Sequence, residues 1–404
     1  MKFLLDLHDK MRPDFEKGGK LERLFPLFEA QDTFAFTPPE VTHGAPHVRD
    51  ALDIKRTMIT VVLALIPVVL FGMWNVGHQY NTVNQTGLAG LIPDLLRGAM
   101  IIMPIILMSY IVGGLWEVGF AIVRKHPINE GFLVSGLLFP LTLPPTIPLW
   151  QVAVGISFGI VIGKEVFGGT GFNVLNPALT ARAFLFFAYP VQISGDTVWT
   201  KIATDSTGLI EGFTGATPLA VAAMVPAGAN VLEALHNADY AGFTWLRMFI
   251  GTIGGSIGET SALGCLIGAI ILIAFGVGSW RIMVGSVLGL TAMALLLNLL
   301  PADRFKAFTQ LPFYYHMVMG SFAFGTVFMA TDPVSAAASN RGKWIYGFLI
   351  GVLIVLIRVT NPAYPEGVML GILFMNVMAP LIDHLVVQSH IRQRKAHLRK
   401  FRHA

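Results

Sequence analysis

Met58-Ile59-Thr60-Val61-Val62-Leu63-Ala64-Leu65-Ile66-Pro67-Val68-Val69-Leu70-Phe71-Gly72-Met73-Trp74 carries no charged side chain, and Arg49, Lys55 and Arg56 precede it. At about 1.5 Å per residue such a run crosses most of a bilayer core. The basic residues ahead of it place the N-terminus in the cytoplasm by the positive-inside rule. The whole chain follows this lead. Of its 404 residues 54% are hydrophobic and only 13% charged, with a mean hydropathy of +0.65, where a soluble protein carries about 25% charged residues.

Further apolar runs follow at about Ala99 to Ile122, ending in Arg124-Lys125-His126; Gly131 to Leu143, short and entering Pro140, Pro144, Pro145 and Pro148; Leu149 to Ile162, ending at Lys164; and Asn176 to Pro190. A polar insert occupies residues 191–244. Spans are then expected near Ile257 to Phe275, Trp280 to Leu300, His316 to Ala330, Trp344 to Val359 and Val368 to Leu385. Ten crossings return the chain to the cytoplasm, where Arg392, Arg394, Lys395, Arg399, Lys400 and Arg402 agree with the rule.

Asn176-Pro177-Ala178 opens the expected fifth span and Asn361-Pro362-Ala363 the tenth, while Gly155, Gly159 and Gly163 on the fourth match Gly347 and Gly351 on the ninth. Five spans per half is odd, so the second copy runs upside down. That is the pattern of an inverted-topology repeat, which places sites between broken helices. The expected fold is an all-α polytopic membrane protein with about ten transmembrane helices in two five-helix inverted repeats with broken or half helices. Its parts are an amphipathic cytoplasmic arm (1–55), a first membrane repeat (56–190), an outer-side polar insert (191–244), a second membrane repeat (245–386) and a basic cytoplasmic tail (387–404). Met1 to Asp50 has no sustained apolar core, so a cleavable signal peptide is not expected.

The single cysteine, Cys265, excludes an internal disulfide and leaves no four-cysteine set for an iron–sulfur cluster on this chain. His43 and His47 have i, i+4 spacing, but Gly44 and Pro46 between them argue against a metal-binding helix face, and no metal site is expected. No G-x-G-x-x-G follows a strand and no G-x-x-x-x-G-K-[ST] occurs, so a nicotinamide or nucleotide-hydrolysis site is not encoded. Electrons, if they arrive, come from partners.

Ionisable groups within lipid cost about 2.5–3.5 kcal/mol at a helix centre, so each has a reason. Glu117, Asp332 and Asp383 read either as an ion path or ligand contacts, or as paired and snorkelling groups. Arg182 and Glu259 are open to pairing, and Arg358 reads as paired or snorkelling. Gly168-Gly169-Thr170-Gly171-Phe172-Asn173 offers backbone N–H groups ahead of a helix start, with Asn173 and Asn176 as amide donors and acceptors. It suits an amide-rich ligand or an anion, and equally a turn in which Asn176 caps the helix. Within the insert, Glu211-Gly212-Phe213-Thr214-Gly215-Ala216-Thr217-Pro218-Leu219 is a tract of small residues with two hydroxyls. Glycine permits close approach of another molecule and Pro218 stiffens the exit, although alone this reads as a loop.

Several stretches together carry a resemblance. Val112-Gly113-Gly114-Leu115-Trp116-Glu117-Val118, Lys164-Glu165-Val166-Phe167-Gly168-Gly169-Thr170-Gly171, Arg182-Ala183-Phe184-Leu185-Phe186-Phe187-Ala188-Tyr189-Pro190, Met329-Ala330-Thr331-Asp332-Pro333-Val334-Ser335 and Asn361-Pro362-Ala363-Tyr364-Pro365-Glu366-Gly367 closely resemble the B-subunit family of the bacterial sodium-translocating NADH:quinone reductases. The likeness runs over essentially the whole chain.

The resemblance implies FMN esterified through its phosphate to Thr217, with Thr214 and Gly215 presenting that threonine; Glu211 stands where the family often has Asp. It further implies a noncovalent riboflavin contacted by Asn173 and Asn176, a quinone region at Gly113, Gly114 and Glu117, and sodium uptake and translocation through Asp332 and Asp383. Implied partners are the other members of a multi-subunit respiratory complex, including an NADH-oxidising FAD/iron–sulfur subunit and a second FMN subunit, with ubiquinone or menaquinone, sodium ion and the bacterial inner membrane, and no nucleic acid. The D-subunit of an Rnf-type ferredoxin:NAD oxidoreductase shares the scaffold and the flavinylated threonine. A non-redox small-solute channel or transporter with the same repeat remains an alternative of another class.

Overall fold

A computed structural model describes residues 10–15, 19–26, 28–29, 54–84, 86–87, 90–125, 128, 130–202, 215–238, 242–301, 304–361 and 366–402, and among them all regular structure is helical. Thr214, Glu211 and most of the N-terminal arm lie outside the described residues.

Among the described residues, six helices or helical stretches are long and apolar enough to cross a membrane. In the first half these are α1 (Ile54–Val83) and α2 (Leu91–Arg124), and a stretch from Leu149 to Phe167 that contains α4 (Leu149–Val161). Between and after them lie α3 (Gly131–Leu141) and α5 (Pro177–Ala188), each about 17 Å long at 1.5 Å per residue. That is roughly half a bilayer core of about 30 Å. The insert contributes α6 (Pro218–Met224) and α7 (Val231–Asn237). The second half holds α8 (Trp245–Ile250), α9 (Ala262–Ala274), α10 (Trp280–Leu297), α11 (Phe313–Val318), α12 (Asn340–Thr360) and α13 (Val368–Arg402).

Three expectations are corrected. The sixth span starts later than expected: residues 257–261 are not helical and α9 begins at Ala262, with α8 a separate short helix ahead of the non-helical segment 251–261. The eighth is broken, into α11, a turn at Phe322–Phe324 and a π-helical turn at Gly325–Met329. Finally, Asn361 ends α12 and the last helix begins at Val368, so Asn361 does not cap it as Asn176 caps α5. Pro362 and Ala363 lie outside the described residues.

Helix association inside lipid needs close backbone approach, which small residues allow. A Cβ on Gly98 would run into the Met73 carbonyl and one on Gly77 into the Asp94 carbonyl, so these two glycines set the α1/α2 contact. Gly289 and Gly351 do the same for α10 and α12, against Phe348 and Ser286 carbonyls. The glycine rows of α4 and α12 face unlike partners: Gly155 meets Leu185 of α5 and Phe139 of α3, and Gly159 meets Ala181 of α5, whereas Gly347 meets Ile282 of α10. Across the halves, α1 packs on α9 and α5 on α13.

The non-helical segment 251–261 is held by backbone and side-chain donors. Ile257 N donates to Leu143 O (3.0 Å) and Gly258 N to Leu141 O (2.7 Å), just past α3. Asn75 of α1 donates to Ile253 O at 2.9 Å. These bonds satisfy backbone that lipid could not.

Gly98 and Gly119 sit on the same helix, but nothing lies within 4 Å of a Cβ built on Gly119. Gly119→Ala is expected to leave thermal stability in detergent unchanged or raise it by up to about 1 kcal/mol through helix propensity. Gly98→Ala is expected to lower it by about 1–3 kcal/mol through overpacking; equal midpoints for the two variants would contradict the packing role.

Candidate functional site

Two clefts open in the protein; α5 lines the first at Pro177, next to its cap Asn176, and reaches the second only through Arg182, which pairs with two of the carboxylates that line it. The first encloses about 720 Å³ when the solvent at its open mouth is counted. Its walls come from the start of α1 (Met58, Val61), from α3 (Ser135, Leu138), from the loop after α4 (Lys164, Thr170, Asn173) and from Asn176 at the head of α5. The second half closes it with Gly278, Phe328, Thr331 and Asp332.

Asn176 is the N-cap of α5: its Oδ1 accepts from the backbone N–H of Ala178 (3.0 Å) and Leu179 (3.2 Å). The cap occupies the carbonyl and leaves the amide nitrogen as the donor toward a ligand. Asn173 Nδ2 donates to Leu175 O at 2.9 Å, which leaves its carbonyl oxygen as an acceptor. Gly168, Gly169 and Gly171 all have positive φ, so the loop between α4 and α5 follows a path that L side chains rarely adopt. Thr170 Oγ1, in the cleft wall, is buried with no hydrogen-bond partner among the described residues. A buried hydroxyl left unpaired is costly, and a polar ligand in the cleft would satisfy it.

Glu117 lies on the buried face of α2, and Lys164 donates to it in a buried ion pair. Lys164 also lies 3.9 Å from Glu165, which pairs with Arg124 at 3.2 Å. The chain Glu117, Lys164, Glu165, Arg124 therefore runs from the interior of α2 to its end, and Lys164 reaches the cleft wall. Sequence reading missed Lys164 as a site residue because it looked like the basic terminator of a span. Gly113 lies one turn before Glu117 and touches the Phe132 ring so closely that a Cβ would collide with it; at Gly114 the same ring is 3.7 Å away.

The second cleft, with about 460 Å³ between its walls, is lined by Thr217, Trp199, Gly254, Gly255, Glu259, Gly320 and Glu366. Thr217 is the N-cap of α6, and its Oγ1 accepts from Ala220 N at 3.2 Å. Gly215 lies against the Asp196 carbonyl with no room for a Cβ. Arg182 of α5 donates to Glu259 at 3.2 Å and to Glu366 at 2.7 Å. The pairing left open for Arg182 and Glu259 is thus made, and Glu366 joins it. Glu366 stood in a stretch that suggests a turn, with no neighbouring cation to mark it.

The remaining ionisable groups are tied locally. Asp332 lines the first cleft, and its carboxylate accepts from Val334 N (3.2 Å) and Ser335 Oγ (2.8 Å). Asp383 is elsewhere: it accepts from Ala338 N (2.7 Å), Ser339 N (3.0 Å) and Ser339 Oγ, tying α13 to the start of α12. The two acids are not brought into one cleft. Arg358 is wholly buried and donates to the carbonyls of His316 (2.7 Å) and Met319 (2.8 Å).

Removing one partner of a buried ion pair leaves an uncompensated charge, at about 3–5 kcal/mol. Arg182→Leu is expected to lower thermal stability by that order, and Arg182→Leu with Glu259→Gln by clearly less. Additive losses in the double variant would show that Arg182 and Glu259 do not act as a unit.

The family model described as the NQR2, RnfD, RnfE family matches residues 41–392. The chain is 52% identical over 410 residues to the B-subunit of the Na(+)-translocating NADH-quinone reductase of Stutzerimonas stutzeri, covering 96% of this chain and 98% of that one. It is 51% identical over 415 residues to that of Pseudomonas paraeruginosa (97% and 99%), and 51% over 422 residues to that of Klebsiella pneumoniae (97% and 99%). Likeness of this depth over both the arm and the tail favours the quinone reductase over the Rnf alternative. The chain belongs to the NQR2, RnfD, RnfE family, and within it to the B-subunit line of the Na(+)-translocating NADH-quinone reductases.

Proposed function

We propose that this chain carries electrons from FMN covalently held on Thr217 to a riboflavin held in the first cleft and on to quinone, coupled to sodium translocation. The observation that carries the reading is that α5 lines the first cleft and is ion-paired to the lining of the second. α5 presents Asn176 to the first cleft and, through Arg182, holds the two carboxylates of the second. Six residues of helix separate them, about 9 Å at 1.5 Å per residue.

The residues fit the groups. Unpaired Thr170 Oγ1 and the amides of Asn173 and Asn176 suit the polar edge of a flavin, while Val61, Leu138 and Phe328 suit its ring. At the second cleft, Thr217 presents a hydroxyl on a stem fixed by Pro218 and by the tight seat of Gly215. The bound flavins would supply the electron chemistry; the chain fixes their separation and shields them.

The basic end of α2, Arg124-Lys125, is on the side of the first cleft through the Glu117 chain. By the positive-inside rule this supports a cytoplasmic first cleft and an outer Thr217, with both termini cytoplasmic and the inner membrane as location. Helices paired alike in the two halves, second with fourth and fourth with fifth, support the inverted repeat of ten spans. Glu117 with Gly113 and Gly114 forms the quinone region in this reading, and Asp332 and Asp383 act on sodium at different points rather than as one site. The electrons come from an NADH-oxidising FAD/iron–sulfur subunit through a second FMN-bearing partner.

In cells carrying the flavin transferase, the denatured chain is expected to give a fluorescent band in gels that Thr217→Ala abolishes. No band in the unaltered chain would overturn the covalent FMN and leave a non-redox channel standing. Asn173→Leu is expected to keep that band while the purified complex loses noncovalent flavin, measured by release on denaturation.

A further inference from the structure

Lys164 is the cation in the wall of the first cleft, and it also stands between Glu117 and Glu165 in the buried charge chain that runs on to Arg124. Its side chain is 3% exposed and that of Glu117 4%, so water screens neither. A charge in such a setting acts strongly on whatever occupies the cleft, because the local dielectric is low. Its effect is graded by how much of it Glu117 and Glu165 neutralise.

We propose that Lys164 is a positioning residue for redox potential: it favours the reduced form of the flavin in the first cleft, and Glu117 sets how much of its charge the flavin feels. The inference rests on riboflavin occupying that cleft. It gives the buried pair a role distinct from holding α2 to the loop after α4. Reducing a flavin brings negative charge into the cleft, which a nearby cation stabilises, and charge close to the ring is one way a protein tunes such a cofactor. The pair then links the Glu117 face of α2 to the cleft electrostatically, without a contact between their ligands.

The test compares Lys164→Met, Lys164→Arg and Glu117→Gln in the purified complex by spectroelectrochemical titration of the noncovalent flavin, with the covalent FMN band as a check of folding. Lys164→Met removes the cation and is expected to lower the midpoint potential. Glu117→Gln leaves Lys164 less neutralised and is expected to raise it. Each shift corresponds to roughly a tenfold change in the ratio of affinities for reduced and oxidised flavin, about 30 mV for a two-electron couple. Lys164→Arg is expected to stay near the parent.

A structural role alone gives no reason for opposite signs. Shifts of the same sign, or none, overturn the proposal. If Lys164→Met retains no flavin, Glu117→Gln decides alone, and the absence of an upward shift overturns it. If Asn173→Leu loses flavin while the charge variants leave the potential unmoved, only this inference fails. If Asn173→Leu keeps its flavin unchanged, the occupancy of the cleft fails and this inference with it.

Discussion

Arg182 joins the two halves of the chain with one guanidinium. It stands on α5, the last helix of the first half, and its acceptors Glu259 and Glu366 precede α9 and α13 of the second. Within a membrane a charge is tolerated when it is paired and facing the protein interior. Here one cation needs two acids from different segments, so the approach of α5 to both is fixed by charge as well as by packing. Because Glu259 and Glu366 also line the cleft beside Thr217, the same pairing shapes that cleft.

Charge alone would not permit the geometry, since the acids sit on chain that is not helical. Segment 251–261 leaves backbone groups that lipid cannot satisfy. They are met from within: by carbonyls at the end of α3, by Asn75, and by Ser261, which caps α9 through Gly264 N at 3.1 Å. The break at Met319-Gly320-Ser321 follows the same rule. Ending α11 there frees the carbonyls of His316 and Met319, and Arg358 donates to both. A buried arginine and a broken helix are each unfavourable alone, and here each supplies what the other lacks.

That interplay explains what the sequence could reveal. Hydropathy marked α1, α2, α4, α10, α12 and α13 because each is an unbroken apolar run, and Asn176 marked a start as a cap residue, whereas the start at Thr217 was not legible. The break in the eighth span was invisible, because His316 to Ala330 carries no Asp, Glu, Lys, Arg or Pro and Gly320, at φ +62°, looks like any small residue in a lipid-facing helix. Its partner Arg358 is 38 residues away in the chain from Gly320, beyond any local pattern. The same distance problem hid Lys164 and Glu366. Each is defined by a partner on another helix, whereas the capping role of Asn176 is set by residues next to it in the chain.

The two clefts are therefore linked by α5, which lines the first and is ion-paired to the lining of the second. Asn176 fixes the start of α5 through two backbone N–H groups, and Arg182 fixes it about one and two-thirds turns further on through two ion pairs. Sliding the helix along its axis would pull Arg182 from at least one acid; rotating it would turn Arg182 away from both and carry the capped end with it. The glycines on either side differ: Gly168, Gly169 and Gly171 at the first cleft have positive φ, while Gly254-Gly255 at the second lie in a segment that Asn75 and the end of α3 hold in place. Under the proposed function, a helix tied at both ends would keep the gap between the two cofactors constant.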